Sequence, residues 1–201
     1  MKYTFSRKGN GMELLKEKIL KEGKVFPGNI LKVDNFLNHL IDTGLMHEIG
    51  KEFAGLFSGE NITKVLTIEA SGIAVACFTA YEIGVPLLFA KKSHTTNQST
   101  QVYTSKVMSY THGKVYDISV SKEYLSADDR VLVVDDFLAT GEALNGLIDL
   151  ISQAGATLVG CGIVIEKAFQ DGGKNLREKG VRVESLAKIA KMTDNEVVFA
   201  E

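Results

Sequence analysis

The sequence predicts an α/β fold in which a central parallel sheet is flanked by helices. Short apolar runs, typical of buried strands, alternate with segments of helical periodicity, and this alternation favours parallel strands joined by helices. The chain has 201 residues, which corresponds to about one domain. Hydrophobic residues make up 45% of it and charged residues 24%, so the composition is that of a globular protein rather than a disordered chain.

The domain organisation follows from the N-terminal region. Residues 1–11 are interpreted as an N-terminal extension that need not be native, because Met12 offers a second start where an amphipathic helical pattern begins. No interior linker separates the residues that follow. Residues 12–201 are therefore expected to form a single domain.

The individual elements are predicted from apolar periodicity and from the residues at their ends. Asp42 is a good helix N-cap, and Gly23 and Gly155 are good helix stops. Residues 25–38 form an extended stretch with a Pro-Gly turn, and residues 91–100 form a polar loop. Helices are predicted over about residues 12–23, 42–59, 72–84 and 142–155, and strands over about 65–68, 85–90, 102–110, 114–120, 131–134, 157–166, 181–186 and 197–199.

The charge and cysteine content exclude several classes of function. The formal net charge is −2 and the isoelectric point is near 6.1, so the chain lacks the basic surface that bulk nucleic-acid binding requires. No zinc-binding spacing is present, and Cys77 and Cys161 lie in apolar runs, where reduced, buried thiols are expected. The polar N-terminus is not a secretory signal, and Glu82, Gly84 and Pro86 interrupt the one long apolar stretch. We therefore expect a cytoplasmic protein without nucleic-acid or membrane partners.

The stretch that says most about chemistry runs from the apolar residues 131–134 into Asp135 and Asp136. A buried strand that ends here delivers both carboxylates to the carboxyl edge of the sheet, where open α/β sheets bind ligands. The residues that follow turn into a helix, so their backbone amides and the helix dipole can bind a phosphate group. The acid pair suits vicinal hydroxyls or a divalent cation, so a ribose 5-phosphate would satisfy both halves. This 139–143 turn consists of Ala139, Thr140, Gly141, Glu142 and Ala143.

The whole string from Val131 to Ala143 resembles the phosphoribosyl-diphosphate motif of the type I phosphoribosyltransferase family. It has an apolar strand, two acids, two apolar residues and then Ala-Thr-Gly. Residues 69–73 resemble the pyrophosphate loop of that family, and residues 91–100 fall where the family has a flexible catalytic loop. Three further strings are similar to the xanthine-specific branch of the family, namely residues 31–39, 163–170 and 182–187.

The resemblance implies an activity, a fold and partners. The activity would be transfer of a 5-phosphoribosyl group from phosphoribosyl diphosphate to N9 of xanthine, giving xanthosine 5′-monophosphate and pyrophosphate in purine salvage. The fold would be the type I phosphoribosyltransferase fold with a small hood over the base, built from about residues 24–41 and 167–201. The family is typically homodimeric and uses Mg²⁺. Oxygens of the substrate would hold this ion, so no residue is assigned as a direct metal ligand.

The family motifs also assign the residues that would bind phosphoribosyl diphosphate. Asp135 and Asp136 would hold the ribose hydroxyls and stabilise the positive charge that develops on the sugar, which makes them the catalytic assignment. The amides of the 139–143 turn would bind the 5′-phosphate. The amides of Ala70, Ser71 and Gly72 would bind pyrophosphate, with a cis peptide bond expected near Ala70-Ser71.

Four residues are assigned to the purine by the same resemblance. Lys167 would reach O6 as a cationic donor, and Phe169 would stack on the ring. Leu31 and Asn38 would form the hood side, where an Asn amide suits the 2-oxo and N3 edge of xanthine. Ala139 stands where hypoxanthine-guanine enzymes of the family carry an Asp, so no general acid or base is assigned.

Alternatives remain open from the sequence. The acid string is equally compatible with an enzyme for adenine, hypoxanthine or guanine. A non-catalytic regulator that senses phosphoribosyl diphosphate is a further alternative, but it would need a DNA-binding extension and a basic face. Lys91 and Lys92 either meet the pyrophosphate or form a solvated pair, and Tyr103 and Lys106 are assigned to a closing loop.

Overall fold

Helices and strands alternate through the protein in its computed structural model, which describes residues 11–93, 101–109, 114–193 and 196–200. Helices α1 to α5 span Gly11–Glu22, Thr43–Leu56, Gly72–Ile83, Glu142–Gln153 and Gly172–Glu178. Strands β1 to β10 span Lys24–Phe26, Ile30–Lys32, Lys64–Ile68, Leu87–Ser93, Val102–Ser109, Lys114–Ser121, Arg130–Leu138, Thr157–Lys167, Val183–Thr193 and Glu196–Phe199. A π-helical segment covers Asp34–Asn38.

The main sheet has eight strands in the order β10-β9-β8-β7-β3-β4-β6-β5. Strands β9, β8, β7, β3 and β4 are parallel to one another, whereas β10 pairs antiparallel with β9, β6 with β4, and β5 with β6. The predicted α/β fold with a central parallel sheet is confirmed, with antiparallel strands added at both edges. Because β3 and β7 are adjacent and parallel, the segments that follow their carboxyl ends meet at one edge of the sheet.

Both faces of the sheet are covered by apolar residues, as a parallel sheet requires. In β7, Leu132 and Val134 face a core cluster that includes α1, α2 and α3, while Val131 and Val133 face the cluster that contains α4. This two-residue alternation is the ordinary periodicity of a strand. The continuous apolar run in β7 is thus explained by burial on both sides of the sheet.

In the N-terminal part, residues 25–38 were expected to be an extended stretch with a Pro-Gly turn. The structure shows a short hairpin followed by a π-helical segment. Strands β1 and β2 form a separate antiparallel hairpin around a turn in which Gly28 has φ 85° and Asn29 has φ 60°. The π-helical segment follows, and α2 begins after Asp42, whose side chain accepts a hydrogen bond from the Leu45 amide over 3.1 Å. The predicted N-cap is confirmed.

Two predicted strand ends are wrong for the same physical reason. Strand β7 continues past Val134 through Asp135 and Asp136 to Leu138, because its backbone goes on pairing with β8 after the apolar run stops. Strand β4 continues to Ser93 by pairing with β6. Lys91 and Lys92 therefore lie in a strand with Ser93, and residues 94–100 of the predicted loop are outside the described residues.

The C-terminal part also differs from the prediction. Helix α5 was not predicted, since its short sequence has little apolar periodicity, and β9 extends to Thr193. Strands β9 and β10 belong to the main sheet, although they fall within the second predicted hood segment. The predicted extension lies outside the described residues except for Gly11, which begins α1. Among the helices described, none is long and apolar enough to cross a membrane.

Candidate active site

The acid pair is buried at the carboxyl end of β7 and is hydrogen-bonded to two other parts of the chain. Asp135 is 4% exposed and Asp136 is 6% exposed. Ser71 donates from Oγ to Oδ1 of Asp136 over 3.0 Å, and Asn38 donates from Nδ2 to Oδ2 of Asp136 over 3.3 Å. Residues predicted from three separate strings of the sequence therefore meet at one carboxylate.

The electrostatics of the pair are dominated by burial. Loss of water raises the pKa of Asp135 well above its ordinary value, and the nearby charge of Asp136 raises it further. Two groups oppose this shift in the pKa of Asp135, namely the Asp136 amide, which donates to Oδ1 of Asp135 over 3.0 Å, and the charge of Lys92. The pair is therefore short of positive partners and suited to receive hydroxyl donors or a cationic group.

Polar atoms without partners surround the pair. A side chain at Gly72 would collide with Oγ1 of Thr67 and with Oδ1 of Asp135, so only glycine leaves this space open. Thr67 Oγ1 is buried and has no hydrogen-bond partner among the described residues. Oδ1 of Asn38 is likewise buried and has no hydrogen-bond partner among those residues. Buried polar atoms of this kind usually pair with a ligand or ordered water, so they favour a polar ligand here.

The loop between β3 and α3 carries the predicted pyrophosphate amides. A cis peptide bond joins Glu69 to Ala70, one bond before the expected position near Ala70-Ser71. The Glu69 carboxylate accepts the backbone N–H of Lys92, which ties the loop to β4. Ser71 directs its hydroxyl to the acid pair rather than to an amide of α3, for which it makes no side-chain cap.

A cavity of about 510 Å³ opens beside the turn after β7. All five residues of the 139–143 turn line it. Gly141 has φ 85°, a left-handed conformation that favours glycine, and it stands at the N-terminus of α4. The cavity therefore meets a helix N-terminus, where backbone N–H groups and the helix dipole favour an anion. Its other walls include Tyr116, Phe137, Lys167 and Gln170, together with the hairpin residues Gly28, Asn29 and Ile30.

The comparisons with known proteins agree with this geometry. The model of the phosphoribosyl transferase domain family matches residues 35–195, which is most of the chain. The chain belongs to the phosphoribosyltransferase family. Xanthine phosphoribosyltransferases from Bacillus cytotoxicus and Bacillus cereus are 56% and 55% identical to it over 190 residues, which cover 94% of this chain and 96% of each relative.

Solved structures of other phosphoribosyltransferases share the fold. The adenine phosphoribosyltransferase from Rhodothermus marinus superposes with a TM-score of 0.72 at 25% identity and covers 89% of this chain and 98% of its own. The APRTase from Giardia lamblia, complexed with 9-deazaadenine, superposes with a TM-score of 0.75 at 22% identity and covers 94% and 100%. The predicted family and the type I phosphoribosyltransferase fold are confirmed.

Lys167 lines this phosphoribosyltransferase cavity, whereas the acid pair does not. It ends β8, and its Nζ donates to the carbonyl oxygen of Asn29 over 2.9 Å. The same ammonium lies 5.8 Å from the centroid of the Phe137 ring. Burial lowers the pKa of Lys167. The lysine thus joins the β1–β2 hairpin to the main sheet and presents a donor in the cavity wall.

The structure does not bring the other three predicted purine residues into that wall. The Leu31 side chain is packed in the core and is 7% exposed. Asn38 contacts Asp136 instead of lining the cavity. Phe169 is 36% exposed on the turn after β8 and does not line the cavity either. Of the four residues assigned to the purine, Lys167 is the one that lines the cavity.

Two cavity residues of this phosphoribosyltransferase were missed by sequence reasoning. Tyr116 projects from β6, where burial and the charge of Asp135 raise its pKa, and Lys92 lies 5.3 Å from the centroid of its ring. Gln170 lines the cavity, and its buried Oε1 has no hydrogen-bond partner among the described residues. Tyr116 stands in no motif, and the pairing of β4 with β6 places it here. Gln170 ends the 163–170 string, but that string assigns it no role, and the turn after β8 brings it to the cavity. Lys106 and Tyr103 lie on β5 outside the cavity wall.

Proposed function

We propose that this enzyme transfers the 5-phosphoribosyl group of phosphoribosyl diphosphate to N9 of xanthine, with release of pyrophosphate and formation of xanthosine 5′-monophosphate. The observation that carries the reaction is the connection of β7 to α4, which presents a buried acid pair and a turn at a helix N-terminus on one short stretch of chain. The choice of xanthine is supported by the two Bacillus relatives of that name, since they match along nearly the whole chain.

The acid pair provides the catalytic interaction in this proposal. Asp135 and Asp136 accept the ribose 2′- and 3′-hydroxyls while the 139–143 turn binds the 5′-phosphate with its amides. As the bond from C1 to pyrophosphate breaks, positive charge develops on the sugar ring. Carboxylates held in a buried, low-dielectric place stabilise this charge more strongly than they would in water, and they need no reorganisation when it appears.

The purine occupies the cavity between the hairpin and β8. Lys167 exchanges its bond with the Asn29 carbonyl for one with O6 of the base, and Phe169 closes over the ring from the turn after β8. Asn38 has a free Oδ1 beside the acid pair, so its amide offers an acceptor and a donor to the 2-oxo and N3 edge. Leu31 supports the hood from the core side. Residues 24–41 form the hood in this arrangement.

Mg²⁺ fits this site as an ion carried by the substrate. The described residues contain no group of three or more His, Cys, Asp or Glu side chains that could form a protein cage for a metal. The ligands of Mg²⁺ would therefore be diphosphate and ribose oxygens of the substrate. When bound, Mg²⁺ neutralises charge on the leaving pyrophosphate. We also propose that the enzyme is a homodimer, as its family implies.

A panel of nucleobases tests the proposed function. Purified protein, Mg²⁺ and phosphoribosyl diphosphate are mixed separately with xanthine, guanine, hypoxanthine and adenine, and pyrophosphate release is measured. Preferential turnover of xanthine is expected. Preference for another purine would retain the phosphoribosyl site and overturn the assignment of Asn38 and Lys167. Tight binding of phosphoribosyl diphosphate without turnover of any base would instead support the sensor alternative.

A further inference from the structure

The start of α5 lies directly against the 139–143 turn. The Gly172 amide donates to the carbonyl oxygen of Ala139 over 3.2 Å. A Cβ placed on Gly172 would lie 2.5 Å from the carbonyl carbon of Thr140 and 2.6 Å from the nitrogen of Gly141, so no side chain fits between the two segments. A Cβ on Gly141 would in turn lie 3.3 Å from Cα of Gly172. The two backbones are therefore in direct contact, and the position of α5 limits the shape of the turn.

Helix α5 is itself held by an ion pair beneath it. Glu166 in β8 is 2% exposed, and both of its oxygens accept from the Arg177 guanidinium over 2.7 Å. Ser185 of β9 donates to the same carboxylate over 2.5 Å, and Arg177 also donates to the Val183 carbonyl over 3.2 Å. A bidentate pair of this kind fixes orientation as well as distance. The C-terminal turn of α5 is therefore hydrogen-bonded to both β8 and β9.

The first turn of α5 also lies against this carboxylate. A side chain on Gly173 would collide with Oε1 of Glu166. Glu166 also immediately precedes Lys167, which lies in the cavity wall. One buried carboxylate is thus next to the proposed purine donor along the chain, and it is connected through Arg177 and Gly172 to the turn that faces the proposed 5′-phosphate.

We propose that Glu166 and Arg177 are positioning residues for phosphoribosyl transfer, which hold α5 so that Gly172 keeps the 139–143 turn in the shape that receives the 5′-phosphate. This inference rests on the proposed function. Neither side chain lines the cavity, so they act through the turn rather than on the substrate. A buried ion pair is a poor source of stability compared with apolar packing, and its fixed geometry is what an apolar replacement could not supply.

The first test replaces glycine at the contact and compares it with glycine in open space. Gly172→Ala pushes a methyl group into the turn, whereas Gly55→Ala, on the exposed part of α2, meets no atom within 4 Å. For Gly172→Ala we expect the KM and the Kd for phosphoribosyl diphosphate to rise by about tenfold to a hundredfold, because a small misplacement of a substrate-positioning group has effects of that size. The KM for the base should change less than twofold, and Gly55→Ala should leave all three values at those of the parent.

The second test alters the ion pair. Arg177→Met removes the guanidinium, and Arg177→Lys retains the charge without the two-pronged geometry. The Kd for phosphoribosyl diphosphate should increase from the parent to Arg177→Lys and further to Arg177→Met. The change should again be confined to this substrate. Lys174→Met is the matched control, since Lys174 forms an exposed pair with Glu178 at 3.9 Å on the same helix.

A role in stability alone would give a different result. Arg177→Met and Gly172→Ala would then lower the melting temperature while the folded protein kept the parent Kd for phosphoribosyl diphosphate, and that result would overturn the proposal. Equilibrium binding also separates it from the proposed function. A parent that binds phosphoribosyl diphosphate without turning over any base overturns the function but still allows these binding tests, whereas a parent that does not bind it overturns both.

Discussion

The side-chain amide of Asn38 donates to Oδ2 of Asp136 over 3.3 Å and joins two residues that are 98 positions apart in the chain. Asn38 closes the π-helical segment near the hairpin, and Asp136 belongs to the buried acid pair of β7. The other polar atom of that amide, Oδ1 of Asn38, is buried without a hydrogen-bond partner in the part of the chain that the structure describes. The residue therefore connects the proposed base-binding and ribose-binding halves of the site.

We expect Asn38→Ala to reduce kcat/KM for xanthine by about tenfold to a hundredfold, since a buried partner is left without its hydrogen bond. The loss should be smaller for hypoxanthine, which has no 2-oxo group to bind. Steady-state kinetics with both bases measure this difference. Asn35→Ala is the control, because Asn35 lies in the same segment but is exposed, and its side chain donates to Glu22 over 3.2 Å rather than to the acid pair. An equal loss for both bases would assign Asn38 to the acid pair alone.

Replacement of the acid pair by Asp135→Asn with Asp136→Asn should reduce transfer by at least about a hundredfold, because the negative charge that stabilises the sugar cation is gone. The fold should survive, since burial and mutual repulsion raise the pKa of Asp135 and the charged pair costs stability in the folded state. That cost grows as pH rises above the ordinary pKa of 3.8. The double variant should therefore have a melting temperature at or above that of the parent at pH 7. Below pH 3.8 the two melting temperatures should be the same. An active double variant would contradict the ribose assignment.

Lys167→Ala should raise the KM for xanthine far more than the KM for phosphoribosyl diphosphate, because the ammonium lies in the base end of the cavity. In the parent, the lowered pKa of Lys167 predicts that the KM for xanthine rises as pH increases toward the alkaline range, where the ammonium loses its proton. Initial rates measured as a function of pH and of each substrate check both statements. Lys191→Ala, at an exposed position of β9, serves as the control. Equal effects on the two KM values would remove Lys167 from the base site.

The Glu166–Arg177 ion pair should appear in the pH dependence of stability. Arg177 and Ser185 lower the pKa of Glu166 against the opposing effect of burial. A carboxylate whose folded-state pKa is lowered contributes its full stability above the unfolded value of 4.5, and this contribution is lost as pH falls through the folded-state pKa. Denaturant unfolding of Glu166→Gln should thus show a deficit of about 1–3 kcal/mol at pH 7 that shrinks below pH 4.5. The value is below that of a fully buried pair because the Arg177 side chain is 35% exposed.

The control for this pH profile is Glu178→Gln, whose ion pair with Lys174 is exposed and 3.9 Å long. Its free energy of unfolding should follow that of the parent at every pH, as exposed pairs contribute little. A deficit in Glu166→Gln that persists unchanged to pH 3 would mean that the loss comes from packing rather than from charge.

Local patterns were sufficient for much of the fold. The N-cap at Asp42, the helix start at Glu142 and the alternation of strands with helices depend on neighbours within a few residues, and all were predicted. The acid pair and its turn were found for the same reason, since strand, carboxylates and helix N-terminus are contiguous. The end of β7 was misplaced because polar residues there remain in the ladder with β8, and no local signal reports that pairing.

The sequence by itself determined the α/β class and the family, and it supplied the residues proposed for the site, because each is written in a continuous string of residues. Only the tertiary structure decided which groups meet. The contacts of Asn38 with Asp136, of Lys167 with Asn29 and of Gly172 with Ala139 join segments that are distant along the chain. Such contacts depend on strand order and on the packing of loops at one sheet edge, which are properties of the whole fold rather than of any local stretch.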